Sequence, residues 1–176
     1  MFRLSSTLLL AVLLAACGQG ASESTSASAE ASEAATADAS AGSSAAAGDT
    51  IEVTAVDYAF AGIPSEVESG TSFELTNEGS EVHELVLVRR NDDVDLTFEE
   101  LLELPEDEAM ELVTIVGGIV AEPGATSEDT LTVDEPGDYL AICFVATGTT
   151  SLEDAESVEG APHFAEGMLQ EFTVTD

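Results

Sequence analysis

From about residue 50 onward, apolar and polar positions alternate with a period of two. Ile51, Val53 and Ala55 are interleaved with Glu52 and Thr54, in a run that ends near Phe60, where Gly62 and Pro64 break it. Phe73 and Leu75 alternate with Glu74 and Thr76, and Asn77-Glu78-Gly79 marks a turn. Further strands are predicted over 82–88, 113–120, 130–133, 139–145 and 169–175, the second of these interrupted by Gly117-Gly118. About seven short strands separated by Gly, Pro and Asn turns predict an all-β fold, an antiparallel Greek-key sandwich or barrel.

Two segments leave that rhythm. Thr97-Phe98-Glu99-Glu100 has the form of a capping box, and Phe98, Leu101, Leu102 and Leu104 form a one-sided apolar stripe behind it. Pro105 then restarts a second acidic turn through Met110 and Leu112. A short helical insertion over 91–112 is expected, its acids forming a solvated face. The second exception is the loop over 147–162, rich in Thr, Ser and Glu, with Ser151 placed to start a short helix. The apolar run from Leu112 to Ala121 is too short to cross a membrane and reads as a buried strand.

The first residues are of another kind. Arg3 is followed by an apolar run from Leu8 to Leu14 and by small residues, the pattern of a secretory signal over 1–16. Leu14-Ala15-Ala16-Cys17-Gly18 resembles the bacterial lipobox, which implies lipidation of Cys17 and an extracytoplasmic protein held at the membrane by that anchor alone. Residues 18–49 are almost entirely Ala, Ser, Gly, Thr, Glu and Asp, too apolar-poor to fold, so 17–49 reads as a lipidated Cys and a disordered tether. Residues 50–176 are left for one folded domain.

Charge narrows the partners. The chain carries 36 Asp and Glu against 3 Lys and Arg. No Lys is present, and past the signal only Arg89 and Arg90 are basic. Nothing here could neutralise phosphates, so nucleic acid is excluded as a partner. The acids run along the whole chain, which favours a solvated surface suited to high salt over a field that steers one basic partner.

Cysteine usage then brings in chemistry. With Cys17 lipidated, Cys143 has no disulfide partner in an oxidising compartment. The remaining soft or titratable donors are few: His83, His163, Met110 and Met168. Taken singly, each has an ordinary explanation: a buried Cys as a small hydrophobe, His83 as a core histidine, Met168 as core filler. Taken together, two imidazoles, one thiolate and a weak thioether are the donor set that selects copper for electron transfer. No Ser-His-Asp or paired-carboxylate arrangement is apparent, and Gly117-Gly118 lacks the spacing of a phosphate loop, so an enzyme is not expected.

From Thr50 onward, essentially the whole domain resembles the cupredoxins, the plastocyanin- and azurin-like type 1 blue copper proteins. Asn77-Glu78-Gly79-Ser80-Glu81-Val82-His83 is similar to the family's first ligand strand. Pro123-Gly124-Ala125, Thr130-Leu131-Thr132-Val133 and Glu135-Pro136-Gly137-Asp138-Tyr139 resemble its approach to the cysteine strand. Gly137-x-Tyr139-x-x-x-Cys143 and His163-x-x-x-x-Met168, with Gly167 before the Met, keep the family spacing. The resemblance implies one copper ion cycling between Cu(I) and Cu(II), His83, Cys143 and His163 as equatorial ligands, Met168 as the axial one, and Tyr139 as a structural anchor. It further implies a monomeric carrier of single electrons to and from a redox protein. Two departures stand out: nineteen residues separate Cys143 from His163, and Glu84 follows His83 where the family often has Asn. The long spacer leaves a copper-handling or sensing module as an alternative, and a metal-free interaction domain as another. It also implies that groups outside a tight ligand loop, such as residues 147–162, must hold the site's geometry.

Overall fold

The alternating positions become ten strands among the residues that the computed structural model describes, 44–176. They are β1 (Ser44–Ala45), β2 (Thr50–Val56), β3 (Ala59–Ala61), β4 (Glu66–Glu68), β5 (Thr71–Asn77), β6 (His83–Arg90), β7 (Val113–Ala121), β8 (Leu131–Val133), β9 (Gly137–Ile142) and β10 (Leu169–Thr175). The segments read as signal, lipidated Cys17 and most of the tether lie outside the described residues. No helix among the described residues is long and apolar enough to cross a membrane.

The strands form two sheets, in the orders β1-β4-β10-β9-β6-β7 and β3-β2-β5-β8. Their facing sides close on one core. β5 alternates strictly, turning Thr71, Phe73, Leu75 and Asn77 inward. Phe73 and Leu75 meet Leu85 and Leu87 of β6, Tyr139 and Ala141 of β9, and Phe172 and Val174 of β10. The all-β sandwich is therefore as expected, with pairing that is more mixed than antiparallel. β2 runs parallel to β5, and β4 parallel to both β1 and β10. The cause lies in the connection: after β2 the chain reverses through β3, crosses to the other sheet at β4 and re-enters beside β2 in the same direction.

Leu85 to Val88 and Tyr139 to Ile142 are buried without alternation. Strands covered on both faces lose the two-residue rhythm, and here the second cover is the insertion. Its helix α1 (Phe98–Leu102) lays Phe98 and Leu101 on Val86, Val88, Leu140 and Ile142. The capping box forms as its sequence implies. Glu100 N donates to Thr97 Oγ1 at 3.2 Å, and Thr97 N donates back to Glu100 Oε2 at 2.8 Å, a cap that stabilises a helix by about 1 kcal/mol. A second helix, α2 (Glu106–Glu111), follows Pro105 and buries no residue, and Met110 is exposed on it.

The two arginines finish the far end of β6. Arg90 pairs with Asp138 at the start of β9 and donates to Leu96 O at 2.8 Å, while Arg89 donates to Pro136 O. Both cations thus tie strand ends together, away from the end where His83 stands. Tyr139 serves as the expected anchor, donating to Glu135 O at 2.6 Å and stacking on Phe172.

Five local expectations change. The run read as a buried strand, β7, stands at the edge of its sheet with Ile115 and Val120 exposed, because only one of its sides has a neighbouring strand. β7 is continuous through Gly117-Gly118, with a bulge at the register shift opposite Leu87 and Val88. Gly117 is small for a reason: a Cβ there would fall 2.8 Å from Leu131 Cδ1 of β8. The Ser151 segment forms turns rather than a helix, with Ser151 Oγ donating to Asp154 Oδ2 and Ser157 Oγ to Asp154 O. The folded part also begins before residue 50. Ser44 and Ala45 pair with β4, Gly48 N donates to Gly70 O, and Ala45 packs on the core, so the end of the stretch read as tether is a short edge strand. Two residues of small side chain leave no alternation to detect. Finally, β9 ends at Ile142, which leaves Cys143 just beyond the strand.

Candidate metal centre

One end of the sandwich is built around a turn. Asn77, buried at the end of β5, donates from Nδ2 to Glu81 O at 2.8 Å and to Ala121 O at 2.9 Å. Its Oδ1 accepts from Gly79 N at 2.8 Å. The turn so formed delivers Glu81 and, at the first position of β6, His83. Cys143 comes from the end of β9, and His163 opens a 3-10 turn (His163–Glu166) that leads into β10. Gly167, at φ 108°, closes that turn in the left-handed region and lets the chain bring Met168 inward.

Backbone hydrogen bonds sew these segments together. Phe164 N donates to Cys143 O at 2.9 Å, His163 N to Val145 O at 2.8 Å, and Cys143 N to Met168 O at 3.3 Å. The nineteen-residue spacer is pinched at its base, where Ala146 bridges Pro162 and Thr147 N donates to Ala161 O at 2.8 Å. The rest of the spacer is an excursion from a closed neck, so the ligand-bearing segments behave as a short loop. Part of the excursion also turns back on the site: Gly148 N donates to Glu81 Oε2 at 2.6 Å, and Val82 N to Thr149 O at 2.7 Å.

His83, Cys143 and His163 are fully buried, and their donor atoms lie within 4.8 Å of one another. His83 Nδ1 stands 3.1 Å from His163 Nδ1, which is in turn 3.4 Å from Cys143 Sγ. Behind each ring is a carboxylate. His83 Nε2 lies 2.9 Å from Asp57 Oδ1, and His163 Nε2 lies 3.0 Å from Glu81 Oε2. A carboxylate only accepts, so each Nε2 carries the proton, and a neutral ring then turns an unprotonated Nδ1 lone pair toward the centre. Two Nδ1 lone pairs face each other with no proton between them, beside a sulfur whose thiol hydrogen is the one donor at the centre, 3.4 Å from His163 Nδ1. A cation at that point relieves the repulsion, and the residues present therefore fit a bound metal ion.

The electrostatics agree. Burial pulls the Asp57 carboxyl up, but hydrogen bonds from Ser80, through both hydroxyl and backbone, and from His83 hold it at about 2. Burial likewise works against Glu81, and Gly148, His163 and Tyr58 outweigh it, so Glu81 too lies below the usual carboxylate range. Burial pushes His83 down against the Asp57 hydrogen bond, which keeps its ring neutral near pH 7. Burial pushes the Cys143 thiol up to about 11, against the hydrogen bonds it receives from Glu84 N and Val145 N.

Of the residues singled out in the sequence, His83, Cys143 and His163 are brought together. Met168 is buried in the same core cluster as Cys143, and Met110 is remote on exposed α2. Sequence reasoning missed Asp57, Tyr58 and Glu81. The Tyr58 ring lies 4.8 Å from that of His163, and its hydroxyl donates to Glu81 Oε1 at 3.1 Å. Glu81 stands two residues before His83, the one clue within the sequence. Asp57 arrives through the β2–β3 turn, which no spacing announces. Glu84, the departure from the family pattern, has its own task. Its Oε1 accepts from Phe144 N at 2.9 Å, and its N–H points at Cys143 Sγ at 3.5 Å, tying β6 to the cysteine loop.

A two-sheet sandwich thus gathers two imidazoles and a thiol at one end, a donor set that could hold a metal ion. Comparison with protein-family models and with curated proteins found no match. Among solved structures, the chain is similar to the reduced auracyanin from the photosynthetic bacterium Roseiflexus castenholzii, at 24% identity and a TM-score of 0.45 over 74% of this chain and 99% of that one. It is also similar to auracyanin A, a "blue" copper protein from Chloroflexus aurantiacus, at 21% identity and 0.40 over 72% and 98%. Rusticyanin from Thiobacillus ferrooxidans follows at 13% identity and 0.36 over 72% and 77%.

Two outcomes are expected from this geometry. Metal uptake at neutral pH displaces the Cys143 proton, so at least one proton is released per ion, and apparent affinity rises about tenfold per pH unit until the thiol's own range near 11. Calorimetry in buffers of different ionisation enthalpy reads that proton, and uptake without release contradicts thiolate binding. Gly79→Ala places a Cβ against Asp57 Oδ1 and 2.6 Å from His83 Nε2. It should separate the pair and lower metal affinity about ten- to a hundredfold, the usual effect of losing a ligand's hydrogen-bond partner. Chelator competition measures this, and unchanged affinity would mean that the Asp57 contact does not position His83.

Proposed function

We propose that the protein is a blue copper electron carrier, with His83, Cys143 and His163 as the equatorial ligands and Met168 as the axial donor. The observation that carries the reading is the pair of Nδ1 atoms 3.1 Å apart beside the Cys143 sulfur, each ring fixed by a carboxylate at its far nitrogen. Copper bound there supplies one-electron chemistry between Cu(I) and Cu(II). Two imidazoles and a thiolate with a weak thioether suit both states, and copper is the first-row ion that such donors select.

The chain's own part is to keep the donors still. Both imidazoles are locked in tautomer and orientation, the sulfur is approached by the Glu84 N–H, and the ligand loops are stitched by backbone bonds. A site pre-formed in this way has little to rearrange when an electron arrives. Full burial of all three donors keeps water from the centre. The closed neck of the spacer weighs against a copper-handling module, because the loop that would have allowed exchange is held at its base.

The setting of this activity belongs to the same proposal. Lipidation of Cys17 would place the domain outside the cytoplasm, and residues up to about 43 would tether it within reach of a membrane-bound redox partner. A low-complexity chain of that length has a mean span on the order of 30 Å.

The protein loaded with Cu(II) is expected to show an intense thiolate-to-copper absorption in the visible and reversible one-electron voltammetry. Cys143→Ser is expected to lose the band while keeping its far-ultraviolet circular dichroism. A folded, copper-loaded wild type without the band contradicts the carrier.

A further inference from the structure

Two negative groups stand behind the two imidazoles, and they come from different parts of the chain. Asp57 lies in the turn between β2 and β3, and Glu81 in the turn ahead of β6. Each accepts the Nε2 proton of one ring, at 2.9 and 3.0 Å. Neither is free to swing away. Asp57 is held by Ser80 N at 3.1 Å and Ser80 Oγ at 2.6 Å, and Glu81 by Gly148 N at 2.6 Å and Tyr58 Oη at 3.1 Å. An imidazole that gives its N–H to a carboxylate becomes a more basic donor at its other nitrogen. Both rings are 0% exposed, whereas Asp57 is 30% and Glu81 15% exposed, so the two charges reach the centre through the buried rings they hydrogen-bond, and solvent screens them only in part. No cation offsets them: the two arginines of the described residues lie at the opposite end of β6, paired with Asp92 and Asp138. Once copper displaces the Cys143 proton, one thiolate and two carboxylates would contribute negative charge around the ion.

We propose that Asp57 and Glu81 together bias the centre toward Cu(II), which makes the protein a low-potential carrier that needs a strongly reducing donor protein. The proposal rests on the copper-carrier reading. Its logic is differential: added negative charge and more basic nitrogens stabilise the divalent ion more than the monovalent one. Asp57 and Glu81 are positioning residues, since they act through His83 and His163.

Tyr58 supplies a test of opposite sign. Its hydroxyl draws charge from Glu81, so removing it leaves the carboxylate a stronger partner for His163, while the ring in Tyr58→Phe keeps its place 4.8 Å from the imidazole. The experiment measures Cu(II) and Cu(I) affinities of the full chain separately by chelator competition. Glu81→Gln and Asp57→Asn are each expected to lower the ratio of Cu(II) to Cu(I) affinity about tenfold or more, equivalent to raising the midpoint potential by about 59 mV per tenfold. Tyr58→Phe is expected to move the ratio the other way. An unchanged ratio in the carboxylate variants overturns the proposal, as does a Tyr58→Phe shift in the same direction as Glu81→Gln, which would mark loosened packing. Should a carboxylate variant fail to fold, the sign of the Tyr58→Phe shift decides. Wild type that binds copper without the visible band contradicts the carrier reading alone, because the affinity ratio is measured without it.

Discussion

Everything at the functional end of this molecule depends on one unfavourable arrangement: two imidazole lone pairs aimed at each other across 3.1 Å, next to a buried sulfur. Left alone, two neutral rings would turn so that one donated to the other. They cannot, because each has committed its N–H to a carboxylate on the far side. The repulsion at the centre is thus maintained by attraction at the periphery. A cation completes the arrangement, which is why the donor set reads as a metal centre rather than as two satisfied core histidines.

The sandwich provides the rigidity that this arrangement demands. β6 and β9 are buried on both faces, by the core on one side and by α1 on the other. Their functional ends are fixed by Asn77, Glu84 and the backbone bonds among Cys143, Val145, His163, Phe164 and Met168. Their far ends are fixed by Arg89 and Arg90. The helical insertion, which carries no chemistry of its own, serves the site by making the ligand strands interior ones. Among the described residues both arginines are engaged at the far end of β6, and the charged side chains bonded to the donor segments are the acids Asp57, Glu81 and Glu84.

The sequence reveals what repeats and what is rare. Period-two alternation exposed β2 and β5, apolar runs bounded by turn residues exposed β6, β7 and β9, the Thr97–Glu100 box exposed α1, and the scarcity of His and Cys exposed three donors. Isolated short strands such as β1, β3 and β4 were invisible because two or three residues cannot establish a period. The parallel pairs were invisible because strand direction follows from how the chain crosses between sheets. Asp57 and Glu81 were hidden for another reason. In a chain with 36 acids, a carboxylate that grips an imidazole is indistinguishable from one that faces solvent until the fold brings it there. The long spacer was misleading in the same way: its length is plain in the sequence, whereas the Ala146–Pro162 neck that cancels its effect is a tertiary contact.

The central claim is that His83, Cys143 and His163 bind one metal ion together, through Nδ1, Sγ and Nδ1. X-ray absorption at the copper edge of the stoichiometrically loaded protein addresses it most directly. The account predicts a first coordination layer of two imidazole nitrogens and one sulfur at short range. A layer of nitrogen and oxygen alone, with no sulfur scatterer, would contradict it.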